Sequence, residues 1–170
     1  MKKWFILAIT FYIAGCAGGG DYSNIEDTEL KQIVGKWQKD KPCKVREDGS
    51  ASEILLEFTK EKHLLHIKEY SDDICSQENL KNYYIFDNNF TLGKYTKFDN
   101  NTTARELDIV CNKIIDKKGK MSAIIRCSDE YTMMAIRDNK LYLAQQDDRN
   151  NTKENRYNKF NKDYFYIKVK

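Results

Sequence analysis

Two histidines, several pairs of adjacent carboxylates and a set of cysteines are the residues of this 170-residue chain whose types could do chemistry. An imidazole pair can hold a metal or relay a proton, but His63 and His66 are three residues apart. In an extended segment that spacing sends them to opposite faces, so they read as ordinary strand residues. Asp72-Asp73, Asp129-Glu130 and Asp147-Asp148 could share a proton or hold calcium, yet each falls at a turn or a strand end, where acids are usually solvated. No G-x-S-x-G elbow, H-E-x-x-H pair or phosphate-cradling glycine loop occurs. The expectation is a protein without catalytic residues, metal or cofactor, and not an enzyme.

Cysteine is the remaining reactive type, and the first one stands in a context of its own. Lys2 and Lys3 form a positive start, and Trp4 to Ala14 is an apolar run of eleven residues. A membrane-spanning helix needs about 20 apolar residues, so the run has the plan of a secretory signal instead. It ends in Ile13-Ala14-Gly15-Cys16, which resembles the lipobox of bacterial lipoproteins. The resemblance implies a diacylglyceryl group on the thiol of Cys16, cleavage after Gly15, and Cys16 as the acylated N-terminus. Residues 1–15 are then a lipoprotein signal peptide, 16–24 a flexible acylated tether carrying Gly18, Gly19 and Gly20, and 25–170 a single domain. Ala17, where an aspartate would favour the inner membrane, points to the outer membrane. The expected location is the cell envelope, lipid-anchored and facing the periplasm or the surface, with the membrane as a partner through Cys16.

Export sets the reading of the other thiols. Cys43, Cys75, Cys111 and Cys127 are an even count in an oxidising compartment, which reads as two disulfides. No C-x-x-C spacing supports zinc. Three pairings are open, and Cys111–Cys127 is favoured. Glu106–Ile115 and Met121–Asp129 look like strands joined by Asp116-Lys117-Lys118-Gly119, and alternation puts Ile109, Cys111, Ile115, Met121, Ala123, Ile125 and Cys127 on one face. The two thiols face each other if the register pairs them directly. They become diagonal if a three-residue loop ending at Gly119 sets it. Cys43–Cys75 is the remaining pair.

These residues need a scaffold, and the sequence points to a β one. A short helix is expected over Ile25–Val34, capped by Ser23 or Asn24. From Gly35 onward, runs rich in β-branched and aromatic residues recur near Val34–Lys39, Glu53–Thr59, His63–Glu69, Asn82–Phe86, Phe90–Tyr95, Glu106–Ile115, Met121–Asp129, Tyr131–Arg137, Lys140–Gln145 and Tyr164–Val169. Asp87-Asn88-Asn89 and Asp138-Asn139 read as hairpin turns, since Asn and Asp tolerate positive φ. A two-residue loop at Asp138-Asn139 pairs Ile136 with Leu141 and Met134 with Leu143, all on one face, and leaves Thr132 and Gln145 near water. Asp147–Asp163, poor in bulky residues, reads as a long and mobile loop. The fold class is mainly β: an antiparallel meander of about 8–10 strands closing into a barrel or sandwich, with a short N-terminal helix. The last strand is placed to pair with the first and remove two open edges.

Gly35-Lys36-Trp37, after the helix and at the start of the first strand, resembles the G-x-W signature of lipocalins. The resemblance implies that Trp37 closes one end of an eight-stranded up-and-down barrel and that Gly35 lets the backbone turn in beneath it. Lipocalins usually carry a C-terminal helix. This chain ends in a strand-like run, so bacterial lipoproteins with small lipocalin-like barrels are the nearer comparison.

Charge and composition limit the partners. Lys and Arg number 29 against 26 Asp and Glu, and loss of Met1–Gly15 removes Lys2 and Lys3, leaving +1. That is too little for nucleic acid, whose affinity comes from many phosphate contacts. Eleven tyrosines, among them Tyr83, Tyr84, Tyr95, Tyr131, Tyr142, Tyr164 and Tyr166 in expected strands, can line an inner cavity or present an outer recognition surface. Two functions follow as expectations. One is a non-catalytic, lipid-anchored barrel that binds a small apolar ligand or an envelope component. The other is a protein-interaction lipoprotein with a filled core, such as an inhibitor, an immunity protein or an assembly partner.

Overall fold

The computed structural model describes residues 22–97, 103–116, 127–146 and 151–170. A helix, α1 (Tyr22–Ile33), leads into eight strands: β1 (Gly35–Val45), β2 (Ala51–Phe58), β3 (Lys62–Tyr70), β4 (Leu80–Lys97), β5 (Thr103–Ile115), β6 (Glu130–Arg137), β7 (Lys140–Leu143) and β8 (Tyr166–Val169). Each pairs antiparallel with the next, and β8 returns to β1 through Lys36↔Val169, Trp37↔Lys168, Gln38↔Ile167 and Lys39↔Tyr166. The result is a closed barrel in sequence order, in which each strand pairs with a neighbour on both sides over at least part of its length. The expected fold class stands, as a barrel.

The end where α1 enters is the floor. Ile33 and Trp37 are buried there with Phe58, Leu107, Met134 and Leu141, and Leu30 packs against them. The Trp37 indole N–H donates to the Ile33 carbonyl at 2.6 Å. Lys168 Nζ donates to the Gln32 carbonyl at 2.9 Å, so two of the orphan carbonyls at the helix end are satisfied. Gly35 has φ of +131°, a conformation that L side chains rarely adopt, and it allows the chain to turn from helix into strand directly under the indole.

The hairpin of β6 and β7 has the expected register, Ile136↔Leu141 and Met134↔Leu143. Asp138 and Asn139 turn at φ of 50° and 58°. Both φ values are positive, as a two-residue hairpin loop with the twist of the strands requires. Thr132, expected near water, is fully buried. Its hydroxyl donates to the Ala144 carbonyl, which removes the cost of burying it.

Three further expectations are corrected. Asp87-Asn88-Asn89 is not a turn but the middle of β4, so the two strands expected on either side of it are one, and the eight strands of the barrel fall within the expected 8–10. Each polar side chain finds a partner across the sheet: Asn88 bonds His63, and Asp87 pairs with Lys62 at 3.2 Å and Lys113 at 3.8 Å. A bulge opposite Asp87 and Asn88 skips Asn112 in the pairing of β5. The phase shift brings Ile114, not Ile115, into the core. The long loop is held down over its described part, 151–163. Arg156 pairs with Asp108 and Glu106, and the Asn151 amide bonds both backbone groups of Tyr131. Tyr157 is buried with Ala104, Met133, Ala135 and Ala144 on the outer face of the barrel. Residues 117–126, which take in most of the expected turn 116–119 and most of the strand expected over Met121–Asp129, lie outside the described residues. Residues 127–129 are not in a strand.

Cys43 is joined to Cys75 and Cys111 to Cys127, with Cα separations of 5.9 and 5.7 Å. Both bridges lie at the mouth, the end opposite the floor, where they tie β1 to the β3–β4 connection and β5 to the segment before β6. Replacing Cys111 and Cys127 together with serine is expected to lower the unfolding free energy by about 2–4 kcal/mol, since the cross-link closes a loop of intermediate length. Urea denaturation under oxidising conditions reads this out, and an unchanged midpoint and slope would refute it.

Candidate functional site

Strand alternation decides what the barrel holds. From Trp37 the register carries the inner face through Leu56, Leu65 and Phe86, and one layer higher through Ile54, Ile67 and Tyr84. The lower positions Trp37, Leu56 and Phe58 are buried, whereas Ile54, Leu65, Ile67, Tyr84 and Phe86 are only half-buried although they face inward. The barrel is thus packed at the floor and open toward the mouth. Its upper wall is apolar, and a polar rim is formed by Glu69 with Asn82 and Arg46.

Two cavities belong to this open half. One of about 630 Å³ lies at the mouth between β1, β2 and the residues before β8, with Lys39, Ser52, Ile54 and Tyr164 in its wall. The other, about 410 Å³, is lined by His63, Leu65, Phe86 and Asn88 on β3 and β4, with Ile109 of β5 and Glu130 of β6. Both volumes fall in the range of small-molecule sites.

The polar groups on the inner wall are few. His63 packs on Phe58, ring centroids 4.6 Å apart. Asn88 donates to the Phe86 carbonyl, which orients its amide, so its nitrogen also donates to His63 Nδ1 at 3.1 Å and the imidazole proton is assigned to Nε2. That Nε2 has no partner among the described residues. Burial, with a smaller effect of His66, lowers the His63 pKa to about 4, so the ring is neutral at pH 7. His66 points outward to Tyr83 and Glu57, so the two imidazoles have different hydrogen-bond partners. Glu130 faces inward from β6 by its pairing with Ile109. The residue is exposed at the start of the strand, and desolvation raises the pKa of its carboxyl. Lys39 faces inward from β1 opposite Tyr166. Burial, and then Lys44, lower its pKa to about 7.

The residues singled out from the sequence are placed as follows. Gly35 and Trp37 form the floor, and the four cysteines brace the mouth. Cys16 lies outside the described residues, as does Asp147-Asp148. Asp72 is held in a loop by Ser76 and Asn79. Asp129 accepts from the Cys111 backbone N–H, while its neighbour Glu130 enters the barrel. Among the described residues, no three His, Cys, Asp or Glu side chains converge as metal ligands. Tyr84 and Tyr166 face inward, whereas Tyr83 and Tyr131 face outward. Lys39 and Glu130 were missed as inner-wall residues, though the signal was present: Lys39 follows Trp37 by two, and Glu130 precedes Thr132, Met134 and Ile136 in steps of two.

The chain matches no protein-family model, no curated protein and no solved structure.

Proposed function

We propose that the protein is a non-catalytic envelope lipoprotein, anchored through Cys16, whose barrel binds a small apolar ligand or an envelope component. The observation that carries this reading is the half-buried state of Ile54, Leu65, Ile67, Tyr84 and Phe86 on an inward-facing wall. A barrel evolved only as a scaffold fills its interior with side chains, because exposed apolar wall forfeits burial energy. The Gly35-Lys36-Trp37 floor beneath that wall supports the lipocalin-like comparison, and the lipobox supports the anchor.

Titration with Nile red, a neutral apolar probe, tests the cavity. The full chain is expected to bind it saturably at one site. Ile67→Trp, which fills the upper wall, is expected to weaken binding at least about tenfold while the barrel stays folded, since ligand affinity rests largely on the apolar lining. Absence of saturable binding by folded protein would overturn the reading.

A second reading, a protein-interaction lipoprotein, is favoured by one feature. Ile74 is 74% exposed and Val45 is 52% exposed, and both flank the Cys43–Cys75 bridge in sequence. Rigid, exposed aliphatic side chains beside a cross-link suit contact with another protein.

A further inference from the structure

Lys39 is a lysine on the inner wall of a half-apolar barrel. Its Nζ is shielded from solvent and has no hydrogen-bond partner, and no carboxylate among the described residues pairs with it. It stands over the rings of Tyr164 and Tyr166, 4.2 Å from the centroid of the latter. Aromatic faces attract a cation but do not neutralise it, and a shielded ammonium without a counter-charge is costly. The groups around it do not supply that charge. Lys41, Lys44 and Asp40 lie on the same strand, β2 contributes uncharged Ser52 and Ile54, and Asp163 precedes Tyr164 in the same cavity wall. Glu130 is close enough to Tyr166 to help raise its pKa but makes no ion pair with Lys39.

Beside this amine is a cavity of about 630 Å³, continuous in register with the apolar wall of Ile54, Ile67 and Tyr84. We propose that the barrel takes a single-chain amphiphile, its hydrocarbon tail along that wall and its anionic head group on Lys39. This rests on the ligand-binding reading above and adds the charge of the ligand to it.

The pH dependence follows from linkage. Lys39 in the free protein has a pKa of about 7. An anion beside the amine stabilises its protonated form and raises that pKa, so binding takes up a proton. Affinity for the anion is then greatest below pH 7 and falls as pH rises through and above it. The aliphatic alcohol of the same length carries no charge and is expected to show no such slope.

The test is a calorimetric titration of the full chain with laurate and with dodecanol between pH 6 and pH 8.5. Laurate is expected to weaken about tenfold across that window while dodecanol stays level. Lys39→Met is expected to abolish the slope and bring laurate down to the affinity of dodecanol. Lys39→Arg, charged at every pH used, is expected to keep laurate binding and lose the slope. The wild-type comparison alone decides the matter if a variant fails to fold. Equal slopes for laurate and dodecanol, or a laurate slope that survives in Lys39→Met, would overturn the head-group assignment while leaving the cavity in place. Failure of both ligands to bind folded protein would overturn the ligand-binding reading itself.

Discussion

Replacing Trp37 with alanine is expected to lower the unfolding free energy by about 3–5 kcal/mol, the range for removing a large aromatic from a packed core. Three effects add at this position. The indole is 1% exposed, so its removal leaves a void among Phe58, Leu107, Met134 and Leu141, which sit on separate strands and cannot all close in. Its N–H donates to the Ile33 carbonyl at 2.6 Å, and that carbonyl belongs to the last turn of α1, where no intrahelical donor is available. The same ring lies beneath Lys168, Nζ 5.2 Å from its centroid, which also holds the Gln32 carbonyl. Trp37→Phe keeps most of the volume and is expected to cost less, about 1–2 kcal/mol, mainly for the lost hydrogen bond. Urea denaturation followed by far-UV circular dichroism measures both. A loss under about 1 kcal/mol in the alanine variant would show that the floor does not depend on the indole and that α1 alone plugs the barrel.

What could be read from the sequence follows from how local each cause is. The β6–β7 hairpin was legible because Asp138 and Asn139 fix the turn and four alternating apolar residues fix the register, all within ten residues. The floor was expected through the resemblance of Gly35-Lys36-Trp37 to the lipocalin signature, since the partners that bury Trp37 come from four other strands. Closure by β8 followed from a terminal aromatic run with nothing else to pair with. The errors all involve partners far away in the chain. Asn88 looked like a turn residue because its partner, His63, is 25 residues upstream. The segment 151–163 looked loose because the acids that hold Arg156 lie on β5, 48 residues away in the case of Asp108. Ile114 replaced Ile115 in the core because a bulge depends on both strands at once. Lys39 and Glu130 are a different case. Their inward direction follows from simple alternation, but a charged type argues against an inner position, and only the half-open interior reconciles the two. The residues that run against the hydrophobic pattern of the wall are therefore the ones on which the ligand-binding proposal can be tested.

Cys16→Ser is expected to move the protein from the membrane pellet to the soluble fraction. A single acyl chain holds a protein only marginally and reversibly, whereas two or more hold it stably, and a lipobox cysteine is the attachment point for such chains. The effect is therefore close to all-or-none. Intact mass is the second readout: the wild-type product should lack Met1–Gly15 and carry acyl groups on Cys16, and the serine variant should carry none. Five residues lie between Cys16 and Tyr22, the first residue of α1, and the six steps, at about 3.3–3.6 Å each, span no more than about 22 Å. The chain enters the barrel through α1 at the closed floor, so the proposed anchor at Cys16 would attach on the floor side, away from the mouth with its two disulfides. The argument is exposed at two points. Unchanged fractionation of the variant would remove the anchor. A wild-type protein that keeps Met1 and has Cys43, Cys75, Cys111 and Cys127 reduced would place the barrel in a compartment where neither lipid attachment nor the two cross-links belong.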